Sequence, residues 1–350
     1  MVTVPEKIIQ NRKPVFGTFK GHPHNLDIRE VFLPYGTLPL PTVITNLNIK
    51  SRLTFSFQLD EYIGFIEIYD AKIMGRAEVC FWNVNTKQCF CYHSMMGPRK
   101  RFIPHNLDYG QFYCHKKSRY LRICWDRNHQ KLSVIFNLKG KSSTPTANAA
   151  LIACLPLENP SEITFVNPAP TLRRCVANYF TALNLHGAVS LFAKNSSVKT
   201  MPDSNGACLF DITRSYTKFR TSGEILSITG LIEGKLFVVR LSNWSQDAID
   251  RDTYNSNVLF YDGKTTPLPP VTITHPYGIN KTWIIQDTEN MVDLTYTPLA
   301  ANPHTISALI FHTRYNILYG TFDGALLTKD GEKIQVQKMP GLAKKYLLRM

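Results

Sequence analysis

The sequence predicts an all-β protein made of two antiparallel barrels or sandwiches with little helix. Three observations lead there. Apolar and polar residues alternate with period two in short runs, most clearly Leu53-Thr54-Phe55-Ser56-Phe57-Gln58-Leu59. The chain of 350 residues carries 16 Tyr and 20 Phe, flat side chains that pack well on a pleated face. Turn residues recur between the runs, and many short strands must sandwich or close because a long open sheet leaves its edges unpaired.

Taken in order, residues 1–41 read as an N-terminal extension, with Gly17, Gly21, Gly36 and several prolines before Pro41. A first barrel-like half is expected over residues 42–200 and a second over 201–350. In the first, Ile63–Tyr69, Ala77–Val84 and Cys89–His93 follow at meander spacing. Tyr120–Trp125 and Lys131–Leu138 flank the turn-rich Asp126-Arg127-Asn128-His129. Leu172, Val176, Tyr179, Phe180 and Leu183 have helical spacing, although Thr181 and the upstream prolines leave a strand as the alternative. In the second half, Ile225–Ile232 and Leu236–Leu241 join across Glu233-Gly234-Lys235. Asp262-Gly263 and Asp330-Gly331 are tight-hairpin signals. Tyr315–Phe322, Ala325–Thr328 and Lys333–Gln337 continue as strands, with a turn of helix expected over 341–346.

Hydrophobic residues at 44% and charged residues at 19% fit a globular chain. Met1-Val2-Thr3-Val4-Pro5-Glu6-Lys7 lacks a signal peptide's apolar run. Ala149–Leu157, the longest smooth apolar stretch, falls far short of the roughly 20 residues a spanning helix needs. A cytoplasmic location without a transmembrane segment is therefore expected. The eight cysteines lie mostly in apolar runs and read as reduced, buried thiols. The net charge of +14 is uneven: residues 1–150 hold 21 Lys+Arg against 10 Asp+Glu. Residues 97–141 contribute eleven basic side chains against only Asp108 and Asp126. This segment is a candidate surface for an anionic partner, lipid or nucleic acid. Its aromatics, as in Lys116-Lys117-Ser118-Arg119-Tyr120, suit stacking beside phosphate contact. The plainer reading is a solvated face.

Familiar catalytic motifs are missing. There is no Gly-x-Ser-x-Gly, no glycine-rich phosphate loop and no His-Glu-x-x-His. Cys89, Cys91 and His93 alternate, but i and i+2 positions on a flat strand are roughly 6.6 Å apart. Two thiolates on one zinc must approach to about 3.8 Å, so no metal is expected, and no cofactor. His22 and His24, near Asp27, read as a polar loop cluster.

From Tyr261 onward several ordered motifs carry a family likeness. They are Thr266-Pro267-Leu268-Pro269-Pro270-Val271, Trp283-Ile284-Ile285-Gln286-Asp287 and Met291-Val292-Asp293-Leu294-Thr295-Tyr296-Thr297-Pro298, followed by Tyr319-Gly320-Thr321-Phe322-Asp323-Gly324 and Asp330-Gly331-Glu332-Lys333-Ile334. With these the chain resembles the bacterial domain-of-unknown-function family DUF2804. The resemblance implies that the two barrels are lipocalin-like (calycin-type), a double-lipocalin architecture distantly similar to carotenoid hydratases and tocopherol-cyclase-like proteins, with a cavity for a lipophilic molecule. The family's aromatic-basic run corresponds here to Tyr216-Thr217-Lys218-Phe219-Arg220, without the family's Pro and Trp. Its Glu-Asn-Ala-Leu run corresponds to Ser256-Asn257-Val258-Leu259, which keeps the Asn and drops the carboxylate. The expected function is binding of a lipophilic or amphipathic small molecule in a barrel cavity, anchored by Tyr216, Arg220, Glu224, Arg240 and Asn257. The alternative is an isomerase-, cyclase- or hydratase-type enzyme. It would use Glu224 or Asp211 as proton donor, which requires burial to raise that carboxyl's pKa.

Overall fold

The expected alternation becomes strand along nearly the whole chain. In the computed structural model the described residues are 1–37, 40–98, 102–141, 144–192, 203–216, 218, 220–243, 249–308 and 311–349. Among them one helix is assigned, Thr42–Leu47, and no helix is long and apolar enough to cross a membrane. The first sheet runs in the order Cys89–Met96, Gly75–Asn83, Tyr62–Asp70, Ile49–Leu59, Ser204–Tyr216, Cys175–Phe192, Thr146–Cys154, Lys131–Leu138, Arg119–Asp126, Tyr109–Lys116. The second runs Lys264–Pro267, Val258–Tyr261, Lys235–Ser242, Arg220–Ile232, Lys333–Arg349, Phe311–Leu327, Val292–Ala308, Trp283–Asp287, Val271–Thr274. Both sheets are antiparallel along these paths and curl into nearly closed, barrel-like folds.

Five expectations need correction. Ser204–Tyr216 pairs with Cys175–Phe192 and Ile49–Leu59, so a strand counted with the second half is central to the first sheet. The expected division at 200/201 itself lies outside the described residues. Leu172–Leu183 is not helical, because from Cys175 the chain is strand with Tyr179 and Leu183 in one core and Phe180 and Ala182 in another. With both faces buried, the period-two signal vanishes. The 341–346 segment is also strand, paired on one side with Arg220–Ile232 and on the other with Phe311–Leu327. Tyr315–Phe322 and Ala325–Thr328 belong to one bulged strand rather than two. The N-terminal extension is part of the fold: Gly17–Lys20 pairs with Glu162–Pro168, and Ile8, Leu26 and Ile28 are buried.

The centres of both barrels are filled with rings. In the first, Phe81 meets Phe136 across the interior at 6.4 Å and packs on Phe90 and Tyr92 at 5.4 and 6.3 Å. In the second, Tyr296 lies 4.6 Å from Phe322 and 5.7 Å from Trp283. Glycine makes this packing fit, since a Cβ on Gly341 would stand 2.4 Å from the Phe322 ring and 2.8 Å from the Ser227 carbonyl.

The outer faces of the two sheets pack against each other. One apolar cluster joins Phe65, Trp82, Tyr319 and Leu342, and another joins Phe180, Leu209, Val238 and Phe260. Between them lies an ionic seam. Lys344 of the second sheet donates to Glu67 of the first at 3.1 Å, and its ammonium sits 3.3 Å from the Phe65 ring centroid. The Tyr346 hydroxyl donates to the same carboxylate at 3.3 Å. Arg52, Asp211 and Arg240 are buried nearby. Burial alone would raise the Glu67 pKa, but Lys344, Arg52 and Arg76 outweigh it and bring it down to about 2.

Two outcomes follow from this packing. Gly341→Ala should lower stability by about 1–3 kcal/mol through overpacking, measured by urea unfolding; an unchanged midpoint would contradict the ring packing. The Glu67 carboxyl titrates lower when folded than when unfolded. Its contribution is therefore complete above about pH 4.5 and lost as pH falls toward 2. Glu67→Gln should cost about 3 kcal/mol at pH 7, and the gap to wild type should shrink steadily between pH 5 and pH 3.

Candidate functional site

Two depressions are lined largely by the N-terminal extension. One of about 550 Å³ is walled by Phe16, Val31, Phe32, Leu33 and Leu172, with Arg12, Lys13 and Arg173 at its border. A second, of about 660 Å³, shares Arg12, Val31, Phe32 and Leu33, and adds Asp27, Arg29 and Tyr35. The extension is held here by local geometry. Phe32 N–H donates to the Arg12 carbonyl at 2.9 Å, and the Arg12 guanidinium lies 5.3 Å from the Phe32 ring. Arg29 forks onto Asp27; the Asp27 pKa, which burial would raise, falls instead to about 2 through Arg29 and His105.

The residues expected to bind ligand do not converge. Tyr216 is buried in the first sheet, donates to the Ile28 carbonyl at 3.0 Å and touches Tyr35 edge-on at 6.3 Å. It therefore backs the wall of the larger depression. Arg220 opens the first strand of the second sheet and is exposed; its neighbours Thr217 and Phe219 lie outside the described residues. Arg240 is in the seam, 5.9 Å from the Phe180 ring centroid. Asn257 is fully buried and ties strands together, accepting from Ser242 N–H and donating to the Pro269 carbonyl. Such a residue clamps backbone.

Glu224 joins two side chains that sequence reasoning missed. Lys345, its cross-strand partner, lies 3.0 Å away, and His275 lies 3.4 Å from Glu224 and 2.7 Å from Lys345. The His275 ring packs 5.1 Å from Trp283. Burial would raise the Glu224 pKa, yet hydrogen bonding and charge from Lys345 lower it, so this carboxyl is ionised near neutral pH. Asp211 is the opposite case: burial raises its pKa, and its Oδ1 has no hydrogen-bond partner.

The His22 and His24 cluster is larger than the sequence suggested. His22 bridges Glu162 at 3.0 Å and Asp108 at 2.9 Å, while His24 also bonds Asp108. Behind them Arg127, which is 1% exposed, donates to Glu162 at 2.7 Å and to the Tyr179 hydroxyl at 2.6 Å. Arg127 thus leaves the basic face. Lys116, Lys117, Lys131, Lys139 and Lys141 remain exposed there, while Arg99, Lys100 and Arg101 lie outside the described residues.

All eight cysteines are free, and Cys154 is exposed rather than buried. The expectation of no metal rested on the separation of Cys89 from Cys91. The structure instead gathers Cys91 and His93 with Glu78 from the adjacent strand and His304 from the second sheet. A histidine reaches where a second cysteine cannot. The cross-strand partner Glu78 and the distant His304 left no local sequence signal.

No curated protein matches the chain. Among solved structures, the crystal structure of kievitone hydratase from Nectria haematococca aligns over 85% of this chain and 87% of that chain, with 9% identity and a TM-score of 0.39. That likeness is too distant to inform fold or chemistry. Residues 50–349 match the family described as Domain of unknown function (DUF2804), and the chain belongs to that family.

Proposed function

We propose that the protein binds a small amphipathic molecule carrying an acidic group, in the groove lined by the N-terminal extension rather than at the ring-filled barrel centres. One observation carries this reading. An apolar depression of about 550 Å³ is bordered by three cationic side chains, Arg12, Lys13 and Arg173. That volume suits one small ligand, and apolar walls with a few polar anchors are the usual make-up of such sites. The guanidiniums supply paired donors for a carboxylate or similar anion. Tyr216 supports the neighbouring wall through Tyr35, giving one sequence-derived residue a positioning role.

A second reading, an isomerase-, cyclase- or hydratase-type enzyme, is favoured by Asp211, whose raised pKa suits a proton donor. It is 3% exposed, lies among the seam charges and is not part of the groove lining.

Dodecanoate titrated calorimetrically into the full chain should bind saturably at one site. Leu172 and Arg173 are exposed, so Leu172→Asp and Arg173→Ala leave the core untouched. Each should weaken binding by about tenfold, equivalent to about 1.4 kcal/mol. Lys264→Ala, at a remote ion pair with Asp330, should not. Absence of saturable binding, or equal affinity in all variants, would contradict the reading.

A further inference from the structure

We propose that Glu78, Cys91, His93 and His304 form a four-ligand zinc site that staples the edge of the first sheet to the second. The strands bring the donors together by register. Glu78 on Gly75–Asn83 faces His93 on Cys89–Met96 as a direct cross-strand pair, and Cys91 is two residues before His93 on the same face. His304 arrives from Val292–Ala308 of the second sheet.

The donor atoms approach the spacing that a tetrahedral cation imposes. Zn–S near 2.3 Å with Zn–N and Zn–O near 2.0–2.1 Å sets edges of roughly 3.3–3.6 Å. Cys91 Sγ lies 3.5 Å from Glu78 Oε1, 3.4 Å from His93 Nε2 and 3.8 Å from His304 Nε2. His304 Nε2 is 3.8 Å from Glu78 Oε1, and the four ligand atoms all fall within 4.8 Å of one another. A divalent cation would accept a lone pair from all four groups at once.

The surroundings also orient the ligands. Arg76 engages Glu78 Oε2 at 2.8 Å, which leaves Oε1 toward the cluster, and the Tyr315 hydroxyl donates to the same carboxyl at 3.3 Å. The His304 ring stacks on Tyr315 with centroids 5.0 Å apart. Such partners fix ligand orientation in metal sites. One thiolate and one carboxylate neutralise a divalent cation, and the sulfur and imidazole donors select zinc over magnesium or calcium. Four protein ligands make a closed, structural centre, and the partly exposed His93 gives the ion a way in.

The test uses the full chain, stripped with chelator and titrated with zinc or cobalt. One Co²⁺ per chain should bind, with a thiolate-to-cobalt charge-transfer band and tetrahedral d–d absorption that Zn²⁺ abolishes. Zinc at a hundredfold excess over Kd should raise the Tm by at least about 3 °C. Cys91→Ser should remove the charge-transfer band, and His304→Ala should weaken zinc binding by at least about 100-fold. If wild type binds no stoichiometric metal, or both variants bind as tightly as wild type, the assignment fails. The wild-type cobalt spectrum decides the matter even where a variant does not fold.

Discussion

The architecture depends on one constraint: the two sheets bury their outer faces against each other as well as their inner faces around rings. Strands such as Tyr62–Asp70 and Ser204–Tyr216 are then hidden on both sides. Charge that falls on those strands cannot reach water, so it must be paired within the protein. Glu67 and Lys344 meet that demand across the junction, with Phe65 under the ammonium and Tyr346 on the carboxylate. Desolvating two charges is costly, so the pair adds little net stability over an apolar isostere. Its consequence is specificity, because any other register of the two faces would leave a buried charge alone.

Charge elsewhere follows the same rule. Arg127 stands in a basic, turn-like run, yet it folds inward onto Glu162 and Tyr179 at the end of the first barrel. His22 reaches the same Glu162 from the extension and binds that segment to the sheet. In the second sheet Glu224, Lys345 and His275 satisfy one another beside Trp283. With the barrel centres full of rings, the proposed ligand and metal sites lie in the groove and at the sheet edge.

Local patterning made much of the fold readable. Leu53–Leu59 alternates and is strand; Asp262-Gly263, both at positive φ, makes the tight hairpin its sequence announces. The failures have one physical origin. Tyr179 and Phe180 point into different cores, which imitates helical spacing, and the Gly341–Tyr346 segment is strand because it has ladder partners on both sides. Neither fact is local. The sites suffered most: Glu224 was identified, but its partners Lys345 and His275 are 121 and 51 residues away. Asn257 carried a family motif and proved to be a backbone clamp.

The central claim is that the two sheets are locked in register by a charge pair out of reach of water. A double-mutant cycle on Glu67→Gln and Lys344→Met, read by equilibrium unfolding at neutral pH, addresses it most directly. Each single change should cost about 3–5 kcal/mol by stranding its partner. The double variant should recover at least about 1 kcal/mol of the summed loss. Strict additivity, or single variants as stable as wild type, would show that the sheets do not depend on this pair.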